Sequence, residues 1–450
     1  MQKKLVTILI LFAVALIPLQ AASAAPAADV TNDAVKLDFP NAISFHAEFT
    51  GTAKITSVVL EYGDQQETCG QVIAKAYPDF TPGTSVRVDW QWDMRQSGSM
   101  PPGAQIWWHW RITDETGKET VTDQKTVTWL DSKHNWQTIT DTNLRLHYYD
   151  IGQSKAQDLM DAAKTSLSRN LQQAGLQPDG AMDVYIFATY SDLQAAVLYE
   201  PSWLGGQAFP EFNITIVGLS GYDAQYDRNT VIHELTHVLV GHLTFTCLGG
   251  VPQWLNEGLA VYSEGPLDSA SQAQLDQAVK DNSLLTVRSI SGAFSAEAGK
   301  ATLSYAESDS LVNYLLQTYG EAKMTSLLTS LRDGSTIDQG LTGAYGFNVD
   351  GLEEAWRKSL GAAPRTDAQP TAVPSPTFVP TIVPMSGAPV AVTPTPFNYP
   401  TPVPTDTSTS SGPPRSLTIL LLVVCCVMTL LIGVIALGIF AAMQSRKGGK

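Results

Sequence analysis

Cysteine is scarce. There are four in 450 residues, and two of them, Cys425 and Cys426, lie inside an apolar run. A scaffold held together by many disulfides is therefore excluded. Basic residues are also few: 28 Lys and Arg stand against 43 Asp and Glu, a formal net charge of −15. Six of the bases, Lys3, Lys4, Arg415, Arg446, Lys447 and Lys450, sit outside the stretch from 26 to 414 that holds every acid. Such an acidic middle has no footprint for nucleic acid and nothing to draw it onto anionic lipid. Charged residues make up only 16% of the chain and hydrophobic ones 44%, so a large core can be buried. No internal repeat is present. The length fits about three domains.

Both ends read as addresses. Residues 1–24 read as a secretory leader, with Lys3 and Lys4 at the start, an apolar stretch from Leu5 to Leu19 and the small residues Ala22, Ser23 and Ala24. Residues 416–443 read as one transmembrane helix, since Leu417 to Met443 carries no charge and is long enough to span a bilayer. The basic tail, 444–450, then stays on the cytoplasmic side. Residues 364–414 hold 14 of the 26 prolines, interleaved with Thr and Ser, which predicts a disordered, extended stalk. The expected arrangement is a single-pass protein of the cell membrane with its N-terminal part outside.

The ordered part has two textures. Residues 30–132 predict an all-β sandwich, comparable to an Ig or FnIII domain. Val86, Val88, Trp90 and Trp92 alternate with polar residues, as do Ile106, Trp108, Trp110 and Ile112, and Ile43, Phe45, Ala47 and Phe49. Val58, Leu60 and Tyr62 begin a further strand. Most of the five tryptophans between 90 and 110 should fill the core, while Trp107 and His109 point the other way and are the exposed candidates. Residues 136–361 change pattern. Strands are expected at Leu144–Tyr149, Met182–Phe187 and Phe212–Val217, a helix over Ala156–Leu171, and almost only helix after Val217. Sheet first and helices after is an α+β order.

The chemistry lies on one of these helices. Residues 233–237 read His-Glu-Leu-Thr-His within an apolar background. Asp227, Asn229 or Thr230 can cap the start of this helix. At positions i and i+4, His233 and His237 share one face, so both can ligate one Zn²⁺. Glu234 projects beside the ion, where a base must stand to take a proton from water. A catalytic zinc needs a third protein ligand. Glu257 is an acid in an apolar helix expected from Pro252 to Tyr262, and a buried carboxylate wants a cation. Nineteen residues, Val238 to Asn256, separate it from His237, enough for a loop through Gly249-Gly250 and a return. His242 falls off the ligand face. Cys69 and Cys247 are the two cysteines outside the apolar run, and both outcomes, paired and free, are open.

This spacing resembles that of thermolysin-like gluzincins. The run Trp254-Leu-Asn-Glu-Gly-Leu-Ala260 is similar to the Asn-Glu-Gly segment of zinc aminopeptidases, and Ser304 to Val312 resembles part of peptidase MA-like domains. The resemblance covers roughly residues 136–361. It implies a thermolysin-like fold, one catalytic Zn²⁺ held by His233, His237 and Glu257, Glu234 as general base, and an edge strand at Phe212–Val217 bordering the cleft. It also implies a hydroxyl donor to the oxyanion on a later helix. Tyr305 is the candidate, with Tyr314 and Tyr262 as alternatives. In thermolysin-like enzymes an acid four residues after the ligand Glu orients a histidine. Here that position is Val261, so the partner must come from elsewhere. The N-terminus-binding motif of the aminopeptidases is not found.

The expected function is thus a membrane-anchored, outward-facing zinc metallopeptidase acting on a peptide or protein substrate. The competing reading is a non-catalytic surface adhesion protein with a degenerate peptidase domain. Endo- or exopeptidase action stays open.

Overall fold

The computed structural model describes residues 28–365, apart from 71, 99, 179, 199–204 and 296. The expected leader, transmembrane segment and basic tail, and all but the first residues of the stalk, lie outside the described residues. Among the described residues no helix is long and apolar enough to cross a membrane.

The N-terminal part is β-rich: β1 (Ala28–Asp38), β2 (Ala42–Asp64), β3 (Ala74–Ala76), β4 (Gly83–Asp93), β5 (Gln105–Asp114), β6 (Glu119–Val121) and β7 (Lys125–Thr128). The segments 43–49 and 58–62, expected as two strands, are one 23-residue strand. Its first half pairs with β1 and β4, its second with β3 and β5. The register with β4 and β5 shifts between Thr50 and Ser57, where Gly51 interrupts the alternation. The apolar residues of both halves meet face to face. Phe45 and Phe49 lie edge-on to Trp108 and Trp110 at ring separations of 5.7 and 5.8 Å.

Trp108 and Trp110 are buried, and both indole N–H groups donate to Asp33 Oδ1. Trp107 and His109 do lie on the opposite face, but they are not bare. The Trp107 ring lies against Gly63 and stacks on His109, and His109 Nε2 is 2.6 Å from Glu61 Oε2. Strand alternation fixes the face a side chain takes, not what covers it.

The second part opens with a five-stranded sheet: β8 (Gln137–Asp141), β9 (Leu144–Tyr148), β10 (Met182–Phe187), β11 (Gly206–Phe209) and β12 (Ile214–Gly218), in the order β11-β12-β10-β9-β8. β9, β10 and β12 run parallel, while β8 and β11 are antiparallel edges. The segment expected at the edge, 212–217, is therefore interior. The true edge is Gly206–Phe209, which turns back through a short 3-10 turn, Pro210–Phe212, and Asn213 in the left-handed region. Four residues, the first of them a glycine, give that strand no alternation to read.

The helices are α1 (Gln153–Ala174), α2 (Tyr190–Ala196), α3 (Ala224–Thr244), α4 (Gln253–Glu264), α5 (Ser269–Lys280), α6 (Ala298–Tyr319), α7 (Glu321–Arg332), α8 (Ile337–Tyr345) and α9 (Val349–Ser359). One face of the sheet, with Leu146, Val184 and Ile186, shares a core with Leu159, Val231, Leu235, Leu255 and Leu315 of the helices. The other face presents Tyr185, Phe187, Ile214 and Ile216 to the core of the β-rich part, beside Trp110 and Trp129. Two covalent and polar ties join the parts elsewhere. Cys69 and Cys247 are disulfide-bonded at a Cα separation of 5.8 Å, and Glu67 N donates to Glu211 O. α4 crosses α6 closely because Gly258 has no side chain. A Cβ there would stand 2.3 Å from Ser308 O.

Candidate metal centre

α3 starts one turn earlier than its capping candidates suggest. Asp223 is its N-cap and accepts from Gln225 and Tyr226 N–H. Asp227 lies inside the first turn, buried, where it accepts from Ser220 N–H and pairs with Lys155 at 2.9 Å. Val231, Leu235, Val238 and Leu239 bury the opposite side of the helix in the core. That seating turns His233 and His237 toward α4, with their rings 4.8 Å apart and nearly perpendicular.

α4 brings Glu257 to the same point. Its Oε2 lies 3.2 Å from His233 Nε2 and 3.5 Å from His237 Nε2. The metal-ligating atoms of the three residues all fall within 4.8 Å of one another. Glu257 Oε1 is held by the Gln253 side-chain amide at 2.5 Å, whereas the buried Oε2 has no hydrogen-bond partner. A desolvated carboxylate oxygen aimed at two imidazole nitrogens and bonded to neither suits a cation, and the donor set of two nitrogens and one oxygen suits Zn²⁺.

Electrostatics agree. Burial works to raise the Glu257 pKa, but the two imidazoles outweigh it and hold the carboxyl well below its usual range. Burial likewise opposes a charged His233, yet Glu257 and Glu264 pull its pKa well up. The site is built to stabilise positive charge at its centre.

Glu264 is the residue that sequence reasoning missed. Its Oε1 is 2.8 Å from His233 Nδ1, so it fixes the ring with Nε2 toward Glu257. It takes the role for which Val261 is unsuited. The signal was present as a spacing: seven residues past Glu257 is two helical turns and the same face.

Glu234 sits where β11 passes α3. A Cβ on Gly206 would lie 2.8 Å from Glu234 Cγ and 3.0 Å from its Oε1. Burial raises its pKa, against the pull of both histidines. Of the three tyrosine candidates, only Tyr305 faces the cluster, with its ring 6.3 Å from that of His233. Burial first, then the carboxylates of Glu257, Glu234 and Glu264, push its phenol pKa up, so it keeps its proton. Tyr262 accepts from the Gln317 amide and Tyr314 lies against Tyr319, so both are engaged elsewhere. His242 is not part of the ligand cluster.

These residues floor a cleft of about 1070 Å³ between β11, α3, α4 and α6. Its lining includes Asp223, Glu234, Glu257, Glu264 and Asp268, and no lysine or arginine among the described residues.

Residues 162–362 match the family model of the Peptidase MA superfamily. The match takes in the helical part of the chain, where the paired histidines and the distant glutamate lie. Among solved structures, an M1 zinc metallopeptidase from Deinococcus radiodurans matches at 12% identity over 78% of this chain and 97% of that one, with a TM-score of 0.33. Aminopeptidase A of Legionella pneumophila matches at 10% identity over 74% of this chain and 49% of that one, also with a TM-score of 0.33. OgpA from Akkermansia muciniphila matches at 10% identity and a TM-score of 0.19, over 23% of this chain, and this chain spans only 28% of OgpA. No curated protein matches the chain.

Proposed function

We propose that the protein is a zinc-dependent peptidase, with His233, His237 and Glu257 as the metal ligands. The observation that carries this reading is the meeting of His233 Nε2, His237 Nε2 and an unpartnered Glu257 Oε2 at one point, beside Glu234. A zinc ion held there would supply Lewis acidity toward a water and toward the scissile carbonyl. Glu234 takes the proton of the attacking water and later delivers it to the leaving amine nitrogen. The Tyr305 hydroxyl donates to the carbonyl oxygen as it gains charge. The free edge of β11 offers backbone groups to an extended substrate. No lysine or arginine among the described lining residues is at hand to anchor a C-terminal carboxylate, which favours cleavage away from that end.

An outward-facing membrane location is part of the same reading. It rests on the sequence of residues 1–24 and 416–443 and is supported by the Cys69–Cys247 disulfide, which belongs to an oxidising compartment. Protease shaving of intact cells should release the part of the chain before 364, and its retention would count against this location.

The catalytic reading is tested with Glu234→Gln in the full chain. The variant should keep the parent's zinc content and lose about 10²–10⁴ in the rate of peptide hydrolysis. Turnover at the parent rate would dismiss Glu234 as the base. A parent that carries no zinc would dismiss the whole assignment.

A further inference from the structure

Directly behind the ligand cluster, three helices meet at a buried knot of hydroxyls. Thr236 on α3 and Ser263 on α4 are 0% and 1% exposed, and their oxygens are 2.7 Å apart. From α1, Asn170 Nδ2 donates to Thr236 Oγ1 at 2.9 Å and to Ser166 O at 3.0 Å. Thr236 Oγ1 is also 2.8 Å from Ile232 O, and Ser263 Oγ is 2.7 Å from Ala260 O.

The protons can be counted. Two hydroxyls have two protons for three contacts: Ile232 O, Ala260 O and the link between themselves. Ser166 Oγ lies 3.3 Å from Ile232 O and can serve it instead. A consistent chain then runs from the Asn170 amide to Thr236, from Thr236 to Ser263, and from Ser263 to Ala260 O. Arg169, next to Asn170, donates to Ser263 O and Glu264 O at 2.8 and 3.0 Å and so satisfies the last carbonyls of α4.

The knot is interleaved with the metal ligands. Thr236 stands between His233 and His237. Ser263 stands between Glu257 and Glu264. Apolar helix faces repack at modest cost when they slide. A short hydrogen bond between desolvated groups does not, because sliding leaves a buried polar group unpaired. Valine in place of Thr236 would fill the same space and leave α3 and α4 free to shift.

We propose that Thr236, through Ser263 and Asn170, sets the register of α3 against α4 and thereby brings the ligands of the two helices to one point. Thr236 is a positioning residue for the metal, not a ligand or a base. This inference rests on the metal reading given above.

The test is the zinc affinity of the metal-free full chain, measured by competition with a chromophoric chelator. Thr236→Val should bind zinc about 10–100-fold more weakly than the parent, the usual effect of removing a group that orients a ligand. Thr236→Ser should restore parent affinity. Thr244→Val removes another buried threonine hydroxyl of the same helix, one that bonds Val240 O at 2.6 Å, and should leave affinity unchanged. Thr236→Val combined with Ser263→Ala should cost no more than the worse single change, since both remove one bond. Should Thr236→Val not fold, Ser263→Ala alone carries the same expectation. Parent-like affinity in Thr236→Val, or a lowered melting temperature of the metal-free protein with affinity untouched, would overturn the inference while the metal reading stands. A parent without zinc affinity overturns both.

Discussion

Glu264 Oε1 stands 2.8 Å from His233 Nδ1, seven residues beyond the glutamate that faces the same imidazole from its other side. One helix, α4, thus supplies both carboxylates that flank His233, Glu257 at Nε2 and Glu264 at Nδ1. The two sit two turns apart, so a single rigid element sets their separation.

Glu264 should therefore matter for metal retention. Glu264→Gln keeps the size and gives up the charge. Zinc affinity should fall by about 10–100-fold, read by chelator competition. Unchanged affinity would show that the imidazole orients itself without it.

Gly206 should tolerate no side chain. A methyl group there would press on Glu234 Cγ from 2.8 Å. Gly206→Ala should keep its zinc and lose up to about 10²-fold in kcat, the cost of displacing a reacting group by an ångström. A mutant with parent kcat would show that Glu234 has room to give.

Substrate charge should matter. The cleft lining carries five carboxylates, Glu234 and Glu257 among them, and no lysine or arginine among the described residues. Peptides flanking the scissile bond with Lys or Arg should be cleaved with kcat/KM about tenfold above matched peptides with Asp or Glu at low salt. The gap should narrow as ionic strength rises. A preference for the acidic series would refute this.

Stability should fall as pH rises through neutrality, in part because of Glu307. This residue is fully buried; Leu285 N–H bonds one oxygen, and the other has no partner. Burial pushes its carboxyl up to about 8 from an ordinary 4.5. Between those values the folded chain keeps a proton that the unfolded chain has lost. Folding therefore binds a proton, and stability declines with pH across that window. Glu307→Gln should flatten that decline, so its melting temperature should gain on the parent's between pH 5 and pH 8. Parallel curves would show that Glu307 is ionised in the folded protein.

Much of this site is legible in the sequence because helix geometry is a strong constraint. His233 and His237 declare themselves by a spacing of four, and Glu257 by being an acid among Leu255, Leu259 and Ala260. Glu264 does not, because its partner lies on another helix and its spacing of seven is shared by many surface residues. Thr236 and Ser263 are silent for the same reason: a threonine and a serine mean nothing until two helices cross. The edge strand is hidden by shortness, since Gly206–Phe209 offers no period. In the β-rich part, Phe45, Trp108 and Trp110 announce a core by alternation. The continuity of β2 does not show, because Gly51 and the break in alternation beside it, where the register shifts, read as the gap between two strands.

The second face of the five-stranded sheet has a consequence for how this chain can be divided. Tyr185, Phe187, Ile214 and Ile216 find their cover in the β-rich part. A chain begun at residue 136 would leave them to water, together with Cys247 deprived of Cys69. Excised, the helical half should be sticky and short-lived. The front and back of this sheet are buried together, and neither part can be traded for a foreign module without rebuilding the seam.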